Sequence, residues 1–235
     1  MNSGQHVISK TYNNIQGNLV LVNEYISFRI CRKLDLPIPD AGIALIDEQT
    51  EYNENDISEK NYGFCFYSVR IDKVAPVNLA IIPRISNKGD FYKLILFDHL
   101  VYNKDRNRGN LLVTSGKTIQ MYAIDHTHVF KNQTIWNKNC LETGMTLNDY
   151  KDHEIIDSNK QVYGFFWEYL NKDYDILLQT AHEFQTKLKS QDLDEFINEL
   201  PESWSISDDD TAALKKYIMY RLKHLDSICT VITGR

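Results

Sequence analysis

The sequence predicts an α+β fold in which strands come first and helices follow. Short apolar runs bounded by polar residues occupy the front of the chain, whereas only helical periods remain from about Gln161 onward. Hydrophobic residues make up 43% and charged residues 25% of the 235 positions, which is enough apolar material for a buried core. Strands and helices that are segregated along the chain favour α+β over a parallel βαβ sheet.

The front of the chain is predicted to hold several short strands around one helix. Val7–Lys10 is predicted to be a strand, and residues 18–34 form a helix because apolar residues recur at helical spacing up to Leu34. The prolines at 36–39 end that helix. Further strands are predicted at 43–46, 63–71 and 77–82, with an acidic surface loop at 47–61.

The remainder is predicted to be mainly helical. A buried helix at 90–102 leads into a polar loop at 103–110, which is followed by a strand hairpin at 111–124. Helices are then expected at 161–170, 174–188 and 193–200, followed by one last helix with an apolar stripe from Leu214 to Cys229. We predict a lobe boundary near Asn87, with a reduced N-terminal lobe at 1–87 and a larger C-terminal lobe at 88–235.

Charge and composition exclude several classes of function. The formal net charge is −6 and no basic stripe is evident, so we expect no direct contact with nucleic acid. No apolar run approaches the roughly 18 residues that a membrane span needs, and the start lacks a signal-peptide core, so we expect no membrane contact and a cytoplasmic location. The four cysteines are scattered, without a CxxC pair, and are interpreted as reduced thiols.

The densest set of polar residues is Asp105, Asn110 and Asp125, on two turns joined by the hairpin. Phosphoryl transfer uses one carboxylate to accept the acceptor proton, together with an amide oxygen and a second carboxylate that hold magnesium. Asp105 and Asn110 are five positions apart, as in a kinase catalytic loop. Ordinary surface turns use the same residue types, so the spacing alone leaves both interpretations open.

The surrounding pattern resembles the HipA-like kinases. Residues 97–113 and 122–130 resemble the catalytic and metal-binding segments of that family, and residues 7–39 resemble its lysine strand, its Asn-Glu helix and the leucine-proline exit. Residues 200–233 resemble the end of the same domain. The resemblance implies a two-lobed kinase-like fold, with a small truncated N-lobe, and an ATP- and magnesium-dependent protein kinase acting on serine or threonine.

The resemblance also implies a role for each candidate residue. Asp105 becomes the catalytic aspartate, Asn110 and Asp125 the magnesium ligands, Lys10 the phosphate-contacting lysine, and Glu24 its helix partner. A lysine held by a glutamate offsets phosphate charge only when strand and helix are docked.

Two supporting residues have more than one interpretation. Arg106 either anchors the loop by pairing with a carboxylate such as Asp98 or contacts phosphate. His126 either orients loop carboxylates, as the resemblance implies, or joins His128 in a zinc site, for which the usual ligand spacing is missing.

The sequence departs from the family pattern at its front. Only nine residues precede Lys10, and Gly4 alone cannot form the family's glycine-bearing phosphate loop. Either Arg106, Arg108 or another chain then supplies the contacts to the nucleotide phosphates, or nucleotide binding is weak. The alternative is a pseudokinase that binds a nucleotide or a protein, with a partner polypeptide completing the N-lobe. A lipid or small-metabolite acceptor rests on the same residues, and some relatives are toxins of toxin–antitoxin systems.

Overall fold

A computed structural model describes residues 4–51, 58–204 and 206–235. The front of the chain forms a three-stranded antiparallel sheet in the order β1-β3-β2. Its strands are β1 (Val7–Lys10), β2 (Ala41–Ile46) and β3 (Gly63–Val69), and helix α1 (Leu19–Lys33) packs against β2 and β3. The sequence predicted these four elements to within a few residues.

A second antiparallel sheet, in the order β4-β5-β6, carries the hairpin. It consists of β4 (Val74–Pro76), β5 (Leu111–Thr114) and β6 (Met121–Ala123). The strand predicted at 77–82 is wrong, because the strand ends at Pro76 and Leu79–Arg84 forms a 3₁₀ turn. Pro83 lies inside that turn, and a proline without an N–H cannot serve as a donor in a strand ladder.

The helices of the C-terminal part surround one central helix, α2 (Phe91–Leu100), nine of whose ten residues are buried. The others are α3 (Lys138–Thr146), α4 (Glu154–Trp167), α5 (Tyr174–Lys187), α6 (Ser190–Asn198), α7 (Asp208–Lys223) and α8 (Leu225–Thr233). Helices α4, α5, α7 and α8 all contact α2. Among the described residues, no helix is both long and apolar enough to cross a membrane.

Three helical predictions need correction. Helix α3 was not predicted, because its apolar residues are few; only Leu141 and Gly144 are buried. Helix α4 begins at Glu154, ahead of the predicted start at 161. The last predicted helix is two helices separated at His224, and the apolar stripe continues through the break.

Of the acidic loop predicted at 47–61, residues 52–57 lie outside the described residues, and Glu59–Asn61 forms a 3₁₀ turn.

The two parts of the chain are joined through the second sheet. Strand β4 precedes Asn87 and pairs with β5, which follows it, so hydrogen bonds of the ladder cross the predicted lobe boundary. The boundary itself stays a prediction. The core is continuous across it, because buried residues of α1 and of α2 belong to one apolar cluster.

Candidate active site

The loop between α2 and β5 holds Asp105 by its own amides. Asn103 Oδ1 accepts a hydrogen bond from the Asp105 backbone N–H at 2.9 Å. Asn107 Nδ2 donates to Asp105 Oδ1 at 3.0 Å, and Asn110 Nδ2 donates to Asp105 Oδ2 at 3.2 Å. Asn107 also caps the 3₁₀ turn Arg108–Asn110 by accepting from two of its backbone N–H groups. The carboxylate of Asp105 is therefore fixed in direction before any substrate arrives.

A buried ion pair anchors this loop to α2. The guanidinium of Arg106 donates to both oxygens of Asp98, through Nη2 at 2.9 Å and Nε at 3.2 Å, and neither side chain is exposed. Arg106 Nη1 donates to the backbone oxygens of Asn110 and Ile124. Of the two roles considered for Arg106, the structure shows the pairing with Asp98. The fully engaged guanidinium leaves no group for a phosphate.

Strand pairing brings Asn110 beside Asp125. Leu111 on β5 is opposite Ala123 on β6, and the backbone N–H of Ile124 donates to Asn110 O at 3.1 Å. Asp125 is the next residue and lies in the left-handed region at φ +56°, which asparagine and aspartate tolerate better than most side chains. Two oxygen-bearing side chains thus leave the same end of one hairpin.

These two side chains fit a magnesium ion. Both amide hydrogens of Asn110 are directed at Asp105, and within the described residues no hydrogen bond engages Asn110 Oδ1. Asp125 uses Oδ1 for its hydrogen bonds, and its side chain keeps 40% of its surface exposed. Magnesium prefers oxygen ligands and is commonly held by one or two protein groups plus water and substrate phosphates. No group of three or more His, Cys, Asp or Glu residues that could hold a metal is found in the described ranges.

Lys10 links the first sheet, α1 and the hairpin. Its ammonium donates to Glu24 Oε1 at 2.5 Å and to Asp125 Oδ1 at 2.6 Å, and it also bonds Thr127 Oγ1. Thr127 Oγ1 donates in turn to Glu24 Oε1 at 2.9 Å. The structure therefore unites the lysine and glutamate predicted from the sequence with the predicted metal-binding aspartate, although more than 100 positions separate Glu24 from Asp125.

The pKa shifts follow from one cation between two carboxylates. Burial raises the pKa of Glu24, against the opposing effect of Lys10. Burial alone would also raise the pKa of Asp125, but the Lys10 ammonium lowers it far below the usual range. The two carboxylates raise the pKa of Lys10 above its ordinary value, although burial opposes this. Lys10 and Asp125 therefore both stay charged at neutral pH, so the carboxylate of Asp125 is in the ionised form that a metal ligand requires.

His126 is buried against the ring of Phe97, edge to face with ring centroids 5.3 Å apart. Its Nε2 has no hydrogen-bond partner among the described residues. Burial lowers the pKa of His126 well below the usual value, so the ring is neutral at pH 7. No hydrogen bond from His126 to a carboxylate is seen in the described part of the chain, and the orienting role stays a prediction.

Sequence reasoning assigned no role to three residues on or beside the site. Thr127 bonds both Lys10 and Glu24, and Asn23 bonds the backbone of Thr127. Ile8 precedes Lys10 by two positions, so it lies on the same face of β1, and it is 61% exposed. The period of two could have identified Ile8, and the Asn-Glu pair of the helix resemblance marks Asn23, whereas nothing local in the sequence marks Thr127.

The site combines a lysine and a glutamate, paired between the small sheet and its helix, with an aspartate-bearing loop and a second aspartate on a hairpin that fits a metal ion. This combination defines a kinase-like phosphotransferase fold. The sequence profile of the HipA-like kinase family matches residues 2–230, and the chain belongs to that family.

The solved structure of a bacterial kinase agrees with this fold. The chain is similar to CtkA, a proinflammatory kinase of Helicobacter pylori, with a TM-score of 0.60 and 12% identity over 97% of this chain and 92% of that one. HipA of Shewanella oneidensis MR-1, solved with HipB and its operator DNA, gives a TM-score of 0.46 and 10% identity over 95% of this chain and 57% of that one. No curated protein sequence matches the chain.

Proposed function

We propose that this protein transfers the γ-phosphoryl group of ATP, with magnesium, to a serine or threonine hydroxyl of a protein. The observation that carries the proposal is the placement of Lys10, whose ammonium lies 2.5 Å from Glu24 and 2.6 Å from Asp125. This arrangement needs the strand, the helix and the hairpin to be docked together. Surface charges on unrelated loops have no reason to meet in this way.

Each residue has a step that suits its surroundings. Asp105, held by two amides, would orient the acceptor hydroxyl and accept its proton. Asn110 Oδ1 and Asp125 would hold the magnesium ion, which supplies charge stabilisation of the transferred phosphoryl group. Lys10 would offset charge on the neighbouring phosphates, and Glu24 would fix its position. Catalysis of this kind rests on positioning and electrostatics.

The nucleotide base has an apolar surface available. Ile8 lies on the Lys10 face of β1 and is largely exposed, so its side chain could pack on a flat heterocycle whose phosphates reach Lys10. Arg106 is buried in its ion pair with Asp98 and is not available to contact the nucleotide phosphates. Arg108 is exposed, and its Nε donates to Val77 O at 3.0 Å. Its two terminal nitrogens bond no group in the described part of the chain and would be available to phosphate.

Transfer of radiolabel from ATP tests the proposal. The purified chain would be incubated with magnesium, labelled ATP and casein, and the labelled amino acid would be identified after hydrolysis. Asp105→Asn keeps the shape of the side chain but removes the proton acceptor, so we expect a loss of label of about 10²-fold or more. Asp72→Asn alters an exposed aspartate in the turn before β4 and is the matched control.

Three outcomes would contradict the proposal in different ways. Equal labelling by wild type and Asp105→Asn would exclude Asp105 from the reaction. Label on a lipid or a small metabolite, with none on serine or threonine, would replace the protein acceptor. No label on any acceptor, together with intact nucleotide binding, would favour a pseudokinase.

A second candidate function, a binding module completed by a partner polypeptide, is favoured by the edge position of β1. Within the described residues β1 pairs with β3 alone, and Val7 and Ile8 are 44% and 61% exposed. An exposed edge strand is a template for strand addition. Light scattering of the purified chain tests this candidate: a stable monomer that labels casein would refute an obligate partner.

A further inference from the structure

Helix α1 contacts the segment that follows β6 at three separate points through one side chain. Asn23 Nδ2 donates to Thr127 O at 2.7 Å and to Gln133 O at 3.2 Å. Its Oδ1 accepts from the indole Nε1 of Trp136 at 2.8 Å. Asn23 is completely buried, so each of these bonds replaces a hydrogen bond to water that is not available there.

The segment 125–136 needs such restraint. Its backbone includes four non-glycine residues with positive φ, which are Asp125, Phe130, Asn132 and Gln133. Left-handed conformations are unfavourable for bulky side chains and persist only where the surroundings hold them. Without external hydrogen bonds this segment would be free to relax these unfavourable backbone angles, including that of Asp125.

Asn23 is adjacent to Glu24, and the two residues bind the same threonine by different atoms. Asn23 binds the backbone oxygen of Thr127, while Glu24 accepts from its hydroxyl at 2.9 Å. Thr127 in turn lies two residues beyond Asp125. One turn of α1 therefore fixes both the glutamate that binds Lys10 and the segment that carries the metal-binding aspartate.

We propose that Asn23 is a positioning residue that holds segment 125–136 against α1, so that Glu24 and Asp125 meet Lys10 together. The inference rests on the proposed function for its consequence in catalysis, but the restraint itself is a property of the folded chain. Loss of the Asn23 amide leaves two backbone oxygens and the Trp136 indole without their partner. The segment should then sample other paths while α1 stays folded.

Hydrogen exchange measured by mass spectrometry tests the restraint without any ligand. In Asn23→Ala we expect amides of 125–136 to exchange about 10-fold faster than in the control Val22→Ala, which corresponds to a tenfold change in the opening equilibrium. Val22 is equally buried on α1 but makes none of these hydrogen bonds. Equal exchange of the segment in the two variants would overturn the proposal.

A milder variant keeps the test decisive if Asn23→Ala fails to fold. Trp136→Phe removes the indole N–H that binds Asn23 together with the five-membered ring that carries it, and keeps a six-membered aromatic ring beside Phe130. We expect exchange at 133–136 to rise by about threefold. No rise there would also overturn the proposal.

Calorimetry then separates this inference from the proposed function. Asn23→Ala should weaken binding of ATP with magnesium by about 10-fold and change binding of metal-free ATP by less than about twofold, because the displaced group is Asp125. Equal weakening with and without metal would contradict a role through Asp125. If wild type binds no ATP, the proposed function fails, and the exchange experiment still decides whether Asn23 restrains the segment.

Discussion

Removal of the Asp98 carboxylate is predicted to be one of the most damaging single changes to this fold. Asp98 is wholly buried in α2 and accepts four hydrogen bonds. Two come from Arg106 at 2.9 and 3.2 Å, one from Asn103 Nδ2 at 2.8 Å, and one from Tyr163 OH at 3.1 Å. Asp98→Ala would leave the Arg106 guanidinium buried without a counter-charge.

The cost can be worked out from this geometry. Breaking a buried ion pair by removing one partner costs about 3–5 kcal/mol, because the other charge is left desolvated. Whole domains are stable by only about 5–15 kcal/mol, so this change would consume a large part of the total. For a chain of this size, each kcal/mol lowers the melting temperature by about 2–4 °C.

Urea unfolding followed by circular dichroism measures the loss. Lys187→Ala is the matched control, because Lys187 also pairs with an aspartate, Asp35 at 2.6 Å, but on the surface. Exposed pairs of this kind contribute about 0–1 kcal/mol. If Asp98→Ala destabilised the protein no more than Lys187→Ala, the network around Arg106 would not anchor the loop between α2 and β5 as described.

Three further predictions concern charge and hydrogen bonding elsewhere. Burial lowers the pKa of His99 to about 3, so the unfolded chain binds a proton that the folded chain excludes between about pH 6.5 and 3. The free energy of unfolding should therefore fall as the pH decreases through that window. Urea titrations at several pH values measure this dependence, and His99→Gln should reduce its slope by about 1.4 kcal/mol per pH unit. An unchanged slope in the variant would contradict the prediction. Arg29 on α1 pairs with Glu195 at 2.8 Å. Arg29→Ala should therefore lower the free energy of unfolding by about 1 kcal/mol at low salt and by less at high salt. A loss that does not depend on salt would argue against the ion pair. Thr127→Val removes the hydroxyl and should reduce the transfer of radiolabel from ATP by about 10-fold, whereas Thr127→Ser keeps the hydroxyl and should retain the wild-type rate. Equal activity of the two variants would mean that the hydroxyl is not used.

Local patterns were sufficient to predict most of the elements. Helix α1 has apolar residues at helical spacing and a proline exit, and β1 to β3 are short apolar runs between polar turns, so both were predicted close to their observed bounds. The strand predicted at 77–82 failed because its apolar run leads directly into Pro83, and Leu79–Arg84 forms a 3₁₀ turn in which Ile82 is the one buried residue. Helix α3 was missed because its exposed face dominates its short sequence.

The site was predicted where its residues belong to a recognisable pattern. Asp105, Asn110 and Asp125 form a dense polar set with a characteristic spacing, and the resemblance to HipA-like kinases supplied Lys10 and Glu24. The restraints on those residues could not be predicted in the same way. Asn23 meets its partners across 104 and more positions, and no local period links α1 to the segment after β6. Such contacts depend on tertiary packing.

In the mechanism that we propose, Asp125 and Asn110 hold magnesium for a nucleotide whose phosphates reach Lys10. Isothermal titration calorimetry of ATP, with magnesium and with EDTA, tests it most directly on wild type and Asp125→Asn. We predict that magnesium strengthens ATP binding to wild type and that Asp125→Asn removes this gain while the variant stays folded. Binding that is independent of magnesium in wild type, or an undiminished gain in Asp125→Asn, would contradict the claim.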